Sequence, residues 1–330
     1  MKIKNCRSCS SKSIKYLYSL GNQYLTGIFP LSKSQRVPKG KLSMVICQNC
    51  KLLQLQNSFD VNVMYGENYG YLSSLNPHMI KHLKLKSEKL KKISNIETDD
   101  IIIDIGSNDG TTLSNYSKSN ILIGVDPTIK KLKKLYRKDI ITVPDFFKKS
   151  LIRKYLNKKK AKIITTISMF YDLPSPIEFA KDVYDCLADD GIWHLEQSYM
   201  PLMIKNTSYD TICHEHLEFY SLKVVKKLLE DHELRIIDVQ MNDINGGSFA
   251  VTACKKKASY NSNTPVINWL LEQEHEMGLS TTKPYIQFAE RVSKHREQLR
   301  NLIISLVSQG KRIVGYGAST KGNVLIQYCD

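Results

Sequence analysis

IIIDIGSNDG, residues 101–110, is the stretch on which the reading of this chain turns. An isoleucine run leads into Asp104, and Gly106 and Gly110 then bound a turn that opens what reads as a helix. An apolar run closed by glycines is a buried parallel strand, and glycine is used where backbone must approach a ligand closely. About 20 residues further on, a second such run, ILIGVDP, ends in Asp126, where an acid can accept hydrogen bonds from ribose hydroxyls. A dinucleotide site would want G-x-G-x-x-G, with the pyrophosphate against the helix N-terminus. Here the middle glycine is absent and the carboxylate of Asp109 stands in the turn, where it would repel a pyrophosphate. A ligand with a cationic amino-acid end and a ribose fits better. S-adenosylmethionine is such a ligand, with Asp104, Gly106, Asn108, Gly110 and Asp126 as its candidate contacts.

The surrounding pattern extends this unit. Strands are expected at 101–105, 121–125, 140–143, 162–167 and 191–196, each followed by helix. A helix near 221–231 precedes strands near 234–240 and 248–254. Alternation of this kind predicts an α/β fold with a doubly wound, mostly parallel sheet and ligands at the carboxyl ends of the strands. The last two strands, with no helix between them, add an antiparallel edge hairpin, the layout of a class I, Rossmann-like methyltransferase. After the third strand, Val143-Pro-Asp145-Phe146 puts an acid and a ring where an adenine would sit, so Asp145 and Phe146 join the cofactor candidates. Glu196 and Gln197, ending the fifth strand, are expected to point into the same cleft as the histidine loop described below.

At the N-terminus, Cys6-x-x-Cys9 and Cys47-x-x-Cys50 can present four thiolates to one zinc ion. Eight cysteines in 330 residues are too few for a disulfide scaffold, and a reducing cytosol favours the metal. A site closed by four cysteines is structural. The expected division is a zinc-binding module at 1–60, a tyrosine-rich linker and helix at 61–97, a cofactor domain at 98–258, and a helical segment with the start of a further α/β domain at 259–330. In that last part, 262–308 reads as long helix. KRIVGYGASTKG then reads as a strand and a glycine-rich turn (Gly315, Gly317, Gly322) of a partial Rossmann-like domain, expected to be truncated.

No run of 18 or more apolar residues and no apolar signal core follow the basic N-terminus, so a cytoplasmic protein without membrane contact is expected. The net charge of +16 comes largely from lysines scattered along helices, which usually make solvated faces rather than a nucleic-acid site. A diphosphate-bearing substrate would also welcome a positive cleft. A zinc-ribbon nucleic-acid-binding protein is the competing class, disfavoured because the basic residues are not interleaved with an aromatic stacking platform.

The strongest catalytic signal is Tyr209-Asp-Thr-Ile-Cys-His214-Glu215-His216. Removal of a carbon-bound proton needs a base titrating near neutrality, and histidine beside a carboxylate provides one. Asn245-Gly246-Gly247-Ser248 would let backbone approach a sugar ring or phosphate.

Together these motifs, with YGYLSS at 69–74 and GYGASTKG at 315–322, resemble the nucleotide-sugar C-methyltransferases of deoxysugar pathways along nearly the whole chain. The resemblance implies methylation of a carbon next to a 4-keto group on a dTDP- or similarly linked deoxysugar. It implies His216 as the base, Glu215 orienting it, His214 beside them, and Tyr71 bonding the enolate oxygen. Tyr69, Ser73, Asn245, Gly247 and Lys321 fall in its substrate-binding segments. Two positions depart from the pattern: Cys213 stands where a tyrosine is frequent, and Ser168–Asp172 replaces a segment that often carries Asn and His. An O- or N-methyltransferase on a related metabolite is the alternative within the same fold. A monomer is favoured.

Overall fold

The computed structural model describes residues 1–30, 32–65, 69–315 and 319–330. These form eleven strands: β1 (Ile14–Tyr24), β2 (Lys39–Cys47), β3 (Leu53–Leu55), β4 (Ile101–Ile105), β5 (Ile121–Val125), β6 (Ile141–Val143), β7 (Ala161–Ile167), β8 (Leu187–Ser198), β9 (Glu218–Phe219), β10 (Leu234–Asn242) and β11 (Ser248–Lys255). The longer helices are α1 (Pro77–Ser94), α2 (Lys149–Leu156), α3 (Pro176–Cys186), α4 (Met200–Asn206), α5 (Leu222–Glu230), α6 (Thr264–Glu276), α7 (Lys283–Ser308) and α8 (Thr320–Cys329). The chain divides into two compact units. One comprises Met1–Met64, Tyr199–Val224 and Leu271–Asp330, the other Tyr65–Ser198 and Val225–Leu270.

The second unit holds a seven-stranded sheet of order β10-β11-β8-β7-β4-β5-β6. β4 pairs in parallel with β5 and β7, β7 with β8 and β5 with β6, while β11 runs antiparallel to both β8 and β10. Every residue of β4 is buried, as expected of a parallel strand covered on both faces. Its core joins Ile102, Leu122, Ile163 and Ile192 to Leu90 of α1. The start of α1 is set by Pro77 at its first position and by Asn76, whose side chain accepts from the His78 amide. The sheet order is that of the class I methyltransferases, with the final strand β11 inserted inside the edge and β10 outermost.

Two expected helices in this unit are shorter than their pattern suggested. After the cofactor turn there is a 3-10 turn, Leu113–Asn115, and after β5 one α-helical turn, Ile129–Leu132, followed by a 3-10 turn, Lys133–Leu135. The lysine-rich segment behind β5 offers few apolar residues at helical spacing, and little burial is available to hold a longer helix.

The first unit is built on the antiparallel sheet β1-β2-β3-β9. Its core runs through Leu42, Met44 and Ile46 of β2 to Phe288 and Val292 of α7 and Val324 of α8. The helix expected over 262–308 is two helices, because Gly278 takes a left-handed turn (φ 68°) and Pro284 opens α7. The strand expected at 311–315 does not form. No strand pairs with this segment among the described residues, and Ile313 and Val314 stay exposed. Gly317, part of the expected turn, lies outside the described residues. α8 packs within the first unit: Gln327 accepts from the Tyr24 amide at 2.7 Å, and Asn323 donates to the Thr26 carbonyl at 3.1 Å. Among the described residues no helix is long and apolar enough to cross a membrane.

Candidate active site

In the second unit the cofactor turn follows β4. Gly106 and Gly110 have φ of 74° and 80°, and Asn108 has φ of 50°. Asn108 therefore supplies the left-handed residue that a middle glycine would have given; asparagine is among the few side chains that tolerate it. A methyl group on Gly110 would lie 2.8 Å from the Tyr136 ring, whose hydroxyl donates to the Asn108 carbonyl at 2.9 Å.

Asp126 ties this turn to β5. Its Oδ2 accepts from the Asn108 amide at 2.9 Å, and its Oδ1 accepts from the Thr128 amide at 2.7 Å and the Thr128 hydroxyl at 2.6 Å. Asp104 is buried and hydrogen-bonded to Thr165, and burial raises its pKa to about 7, with the charges of Asp126 and Asp109 pushing the same way. Three carboxylates concentrated at one turn favour a cationic ligand over a pyrophosphate.

The tyrosine-rich segment is fastened to the same turn. Asn108 donates from Nδ2 to the Tyr71 carbonyl at 2.9 Å and accepts at Oδ1 from the Ser73 amide at 3.0 Å; Asp109 accepts from the Ser74 amide at 2.8 Å. Lys131 donates to the Tyr69 carbonyl. Tyr71 itself is 46% exposed, and desolvation raises its pKa, so the phenol is protonated at neutral pH. At the β10–β11 turn, Asn245 donates to the Ser168 hydroxyl at 3.2 Å. Asp145 sits exposed after β6, accepting from the Phe146 amide, and Phe146 is half-buried.

Glu196 does not end in an open cleft. Its carboxylate accepts from His82 at 2.5 Å, Lys86 at 2.9 Å and Asn242 at 3.1 Å. Burial alone would raise its pKa, but the His82 bond and the Lys86 charge hold it down at about 2. Gln197 is fully buried.

The His-Glu-His loop belongs to the first unit, and its members differ in their bonding. His214 accepts at Nδ1 from the Thr26 amide at 3.2 Å and donates from Nε2 to the Gly40 carbonyl at 3.1 Å, with Phe59 edge-on at 4.7 Å between ring centres. Both ring nitrogens serve the chain itself, and burial lowers its pKa to about 4. Glu215 accepts from the Thr26 hydroxyl at 3.4 Å, and its pKa is raised by burial. Gly27 and Gly40 make room for this loop. A methyl on Gly27 would lie 1.9 Å from Glu215 Oε1, and one on Gly40 would lie 2.2 Å from Phe59. His216 donates from Nδ1 to the Thr211 carbonyl at 2.8 Å, which places the basic lone pair on Nε2. Burial lowers its pKa to about 4, and the positive charge of Lys321 acts in the same direction. The ring is thus neutral at pH 7, and it titrates below the near-neutral range expected from the sequence because burial disfavours its cation.

The four cysteines form a separate cluster in this unit. Their Sγ atoms all lie within 4.8 Å of one another, with Cys6–Cys50 and Cys9–Cys47 at 3.6 Å. Tetrahedral zinc with Zn–S bonds near 2.3 Å sets its sulfurs about 3.8 Å apart, so the set fits a structural zinc ion.

Sequence reasoning did not find Thr26, Gly27, Gly40 or the Thr211 carbonyl. The first three approach the loop from 174 to 189 residues away, and a backbone carbonyl has no side-chain signature.

Three family models match in succession: a zinc binding domain at residues 6–65, a methyltransferase domain at 78–239, and a C-methyltransferase C-terminal domain at 243–330. Taken in this order, the three segments are similar to those of C-methyltransferases. C-methyltransferase NovU of Streptomyces niveus is 28% identical over 333 residues, spanning 99% of this chain and 78% of that protein. Among solved structures, the plantazolicin methyltransferase BpumL (14% identity, TM-score 0.42) covers 56% of this chain and 88% of its own. A methyltransferase from Clostridium acetobutylicum (12% identity, TM-score 0.42) covers 53% of this chain and 92% of its own. The strand order and the methyltransferase domain match carry the fold. The protein is an S-adenosylmethionine-dependent enzyme with a structural zinc site.

Proposed function

We propose that this enzyme methylates the carbon α to the ketone of a nucleotide-linked 4-keto deoxysugar, with His216 as the base. The observation that carries the reading is the His216 ring, a neutral imidazole whose Nδ1–H is fixed on the Thr211 carbonyl, so that Nε2 is the nitrogen able to take a proton. Transfer to oxygen or nitrogen removes no carbon-bound proton, so proton exchange at the α carbon separates the two readings. The resemblance to nucleotide-sugar C-methyltransferases and the positive charge of the chain support the substrate class.

Bound S-adenosylmethionine would supply the electrophilic methyl group. Asp104, Gly106, Asn108, Gly110 and Asp126 would hold its amino-acid and ribose parts, with Asp145 and Phe146 at the adenine. His216 takes the α proton, and Tyr71, protonated, donates to the oxygen on which enolate charge develops. Glu215 and His214 brace the loop that carries His216, the first against Thr26, the second between Thr26 and Gly40. Tyr69, Ser73, Asn245, Gly247 and Lys321 are assigned to the sugar and its diphosphate.

The test is solvent deuterium exchange and methyl transfer on a panel of 4-keto nucleotide-sugars. His216→Asn should lower both by about 10²–10⁴-fold and leave affinity for S-adenosylhomocysteine unchanged. Methylation confined to oxygen or nitrogen acceptors and indifferent to His216→Asn would overturn the reading.

A further inference from the structure

We infer that Arg7, inside the first Cys-x-x-Cys pair, is a positioning residue for the His-Glu-His loop, joining the metal knuckle to both flanks of that loop. The inference deepens the proposed function and rests on it for its kinetic readout. Arg7 is 6% exposed, although arginine is seldom buried without full pairing. Its guanidinium faces a particular set of partners, by hydrogen bonds at Nη1 and Nη2 and by an ion pair at Nε. Nη1 donates to the Leu55 carbonyl at 2.7 Å, and Nη2 donates to the Ser58 hydroxyl at 2.9 Å. Nε lies 3.4 Å from Glu218 Oε1, and the Glu218 side chain is fully buried.

These partners bracket the loop. Glu218 stands two residues after His216, in β9, which pairs with β3 through Gln54 and Leu53. The intervening Leu217 carbonyl accepts from the Leu55 amide at 2.9 Å and from Arg7 Nη1 at 3.5 Å. On the other flank, Ser58 precedes Phe59, whose ring packs against His214. The metal end is joined through Gln54, which accepts from the Arg7 amide at 3.2 Å and donates from Nε2 to Cys6 Sγ at 3.3 Å. The knuckle, one guanidinium and the base-bearing loop therefore form one bonded set.

A buried ion pair is seldom the cheapest way to stabilise a core, since an apolar replacement of like volume often does as well. What the planar guanidinium adds is direction: its donors fix several acceptors at set angles. A misplacement of about 1 Å at a reacting group can cost about 10²-fold in rate. Lysine keeps the charge but loses the fork.

The experiment compares wild type, Arg7→Lys and Glu218→Gln as full-length, zinc-loaded protein, below the unfolding temperature of each. Zinc content and S-adenosylhomocysteine affinity should match wild type. In both variants kcat and α-carbon deuterium exchange should fall together by at least about tenfold with KM little changed. Amide exchange over residues 211–219 should rise, while that over 101–126 stays at the wild-type level. Variants that lose thermal stability alone, with kcat and exchange over 211–219 as in wild type, would overturn the inference. Should wild type show no transfer to any keto-sugar, the proposed reaction fails, and amide exchange over 211–219 alone decides the role of Arg7.

Discussion

His214 and His216 stand two residues apart in the sequence, yet the fold gives them different surroundings. His214 is bonded by the Thr26 amide and the Gly40 carbonyl, and the Nδ1–H of His216 is held by the Thr211 carbonyl. The sequence marked both as candidate bases, because a pattern of His-Glu-His says nothing about which ring nitrogen meets which carbonyl. The burial that the two rings share has a pH signature. The pKa of His214 lies at about 4 in the folded chain, below its ordinary value of 6.5. Between those values the unfolded state binds more protons, so the stabilising contribution of neutral His214 is complete above about pH 6.5 and is lost as the pH falls towards 4. Urea midpoints measured between pH 7 and pH 4.5 should fall with pH, and His214→Gln should flatten part of that slope. An unchanged slope in the variant would contradict the buried, neutral assignment.

At the scale of elements, period and punctuation served the strands of the seven-stranded sheet well, and the helices and the segment 311–315 less so. The isoleucine run of β4 and the glycine that follows it are local signals of a buried strand and a turn. The length of a helix, by contrast, depends on the surface it finds to cover, and behind β5 there is little. Helix α5 shows another non-local device. Its first amides, Leu222 and Lys223, are accepted by Glu274 at 2.5 and 3.0 Å, and Tyr199 donates to the same carboxylate at 2.8 Å. The cap thus comes from about fifty residues downstream rather than from a residue beside the helix start. Glu274→Ala leaves those buried donors without an acceptor and should cost about 1–3 kcal/mol of stability in chemical denaturation. Cofactor affinity should be unaffected, because Glu274 bonds nothing in the cofactor turn.

At the scale of the whole molecule, the metal cluster and the cofactor turn belong to different compact units. The His-Glu-His loop shares a unit with the four cysteines, and β9 lies in the sheet β1-β2-β3-β9. Removing zinc with a strong chelator should therefore loosen residues 1–64 and 199–224, seen as faster proteolysis and amide exchange there. Calorimetric titration with S-adenosylhomocysteine should still show binding at close to wild-type affinity. Loss of cofactor binding in parallel with zinc would show that the two units do not hold their structures separately.

The sequence by itself determined the cofactor class and the metal ligands. The turn after β4, the acid ending β5 and the two Cys-x-x-Cys pairs are short-range patterns, and their chemistry follows from residue type and spacing. It also determined the alternation of strands and helices, since side-chain periodicity is set within a single element. Only the tertiary structure decided which carbonyl each histidine meets, that Arg7 and Glu218 meet, and that Gly27 and Gly40 make way for Glu215 and Phe59. It likewise decided that residues 311–315 do not pair as a strand. Each of these depends on what packs against a residue from distant parts of the chain, and burial, hydrogen-bond partner and free space are properties of that packing.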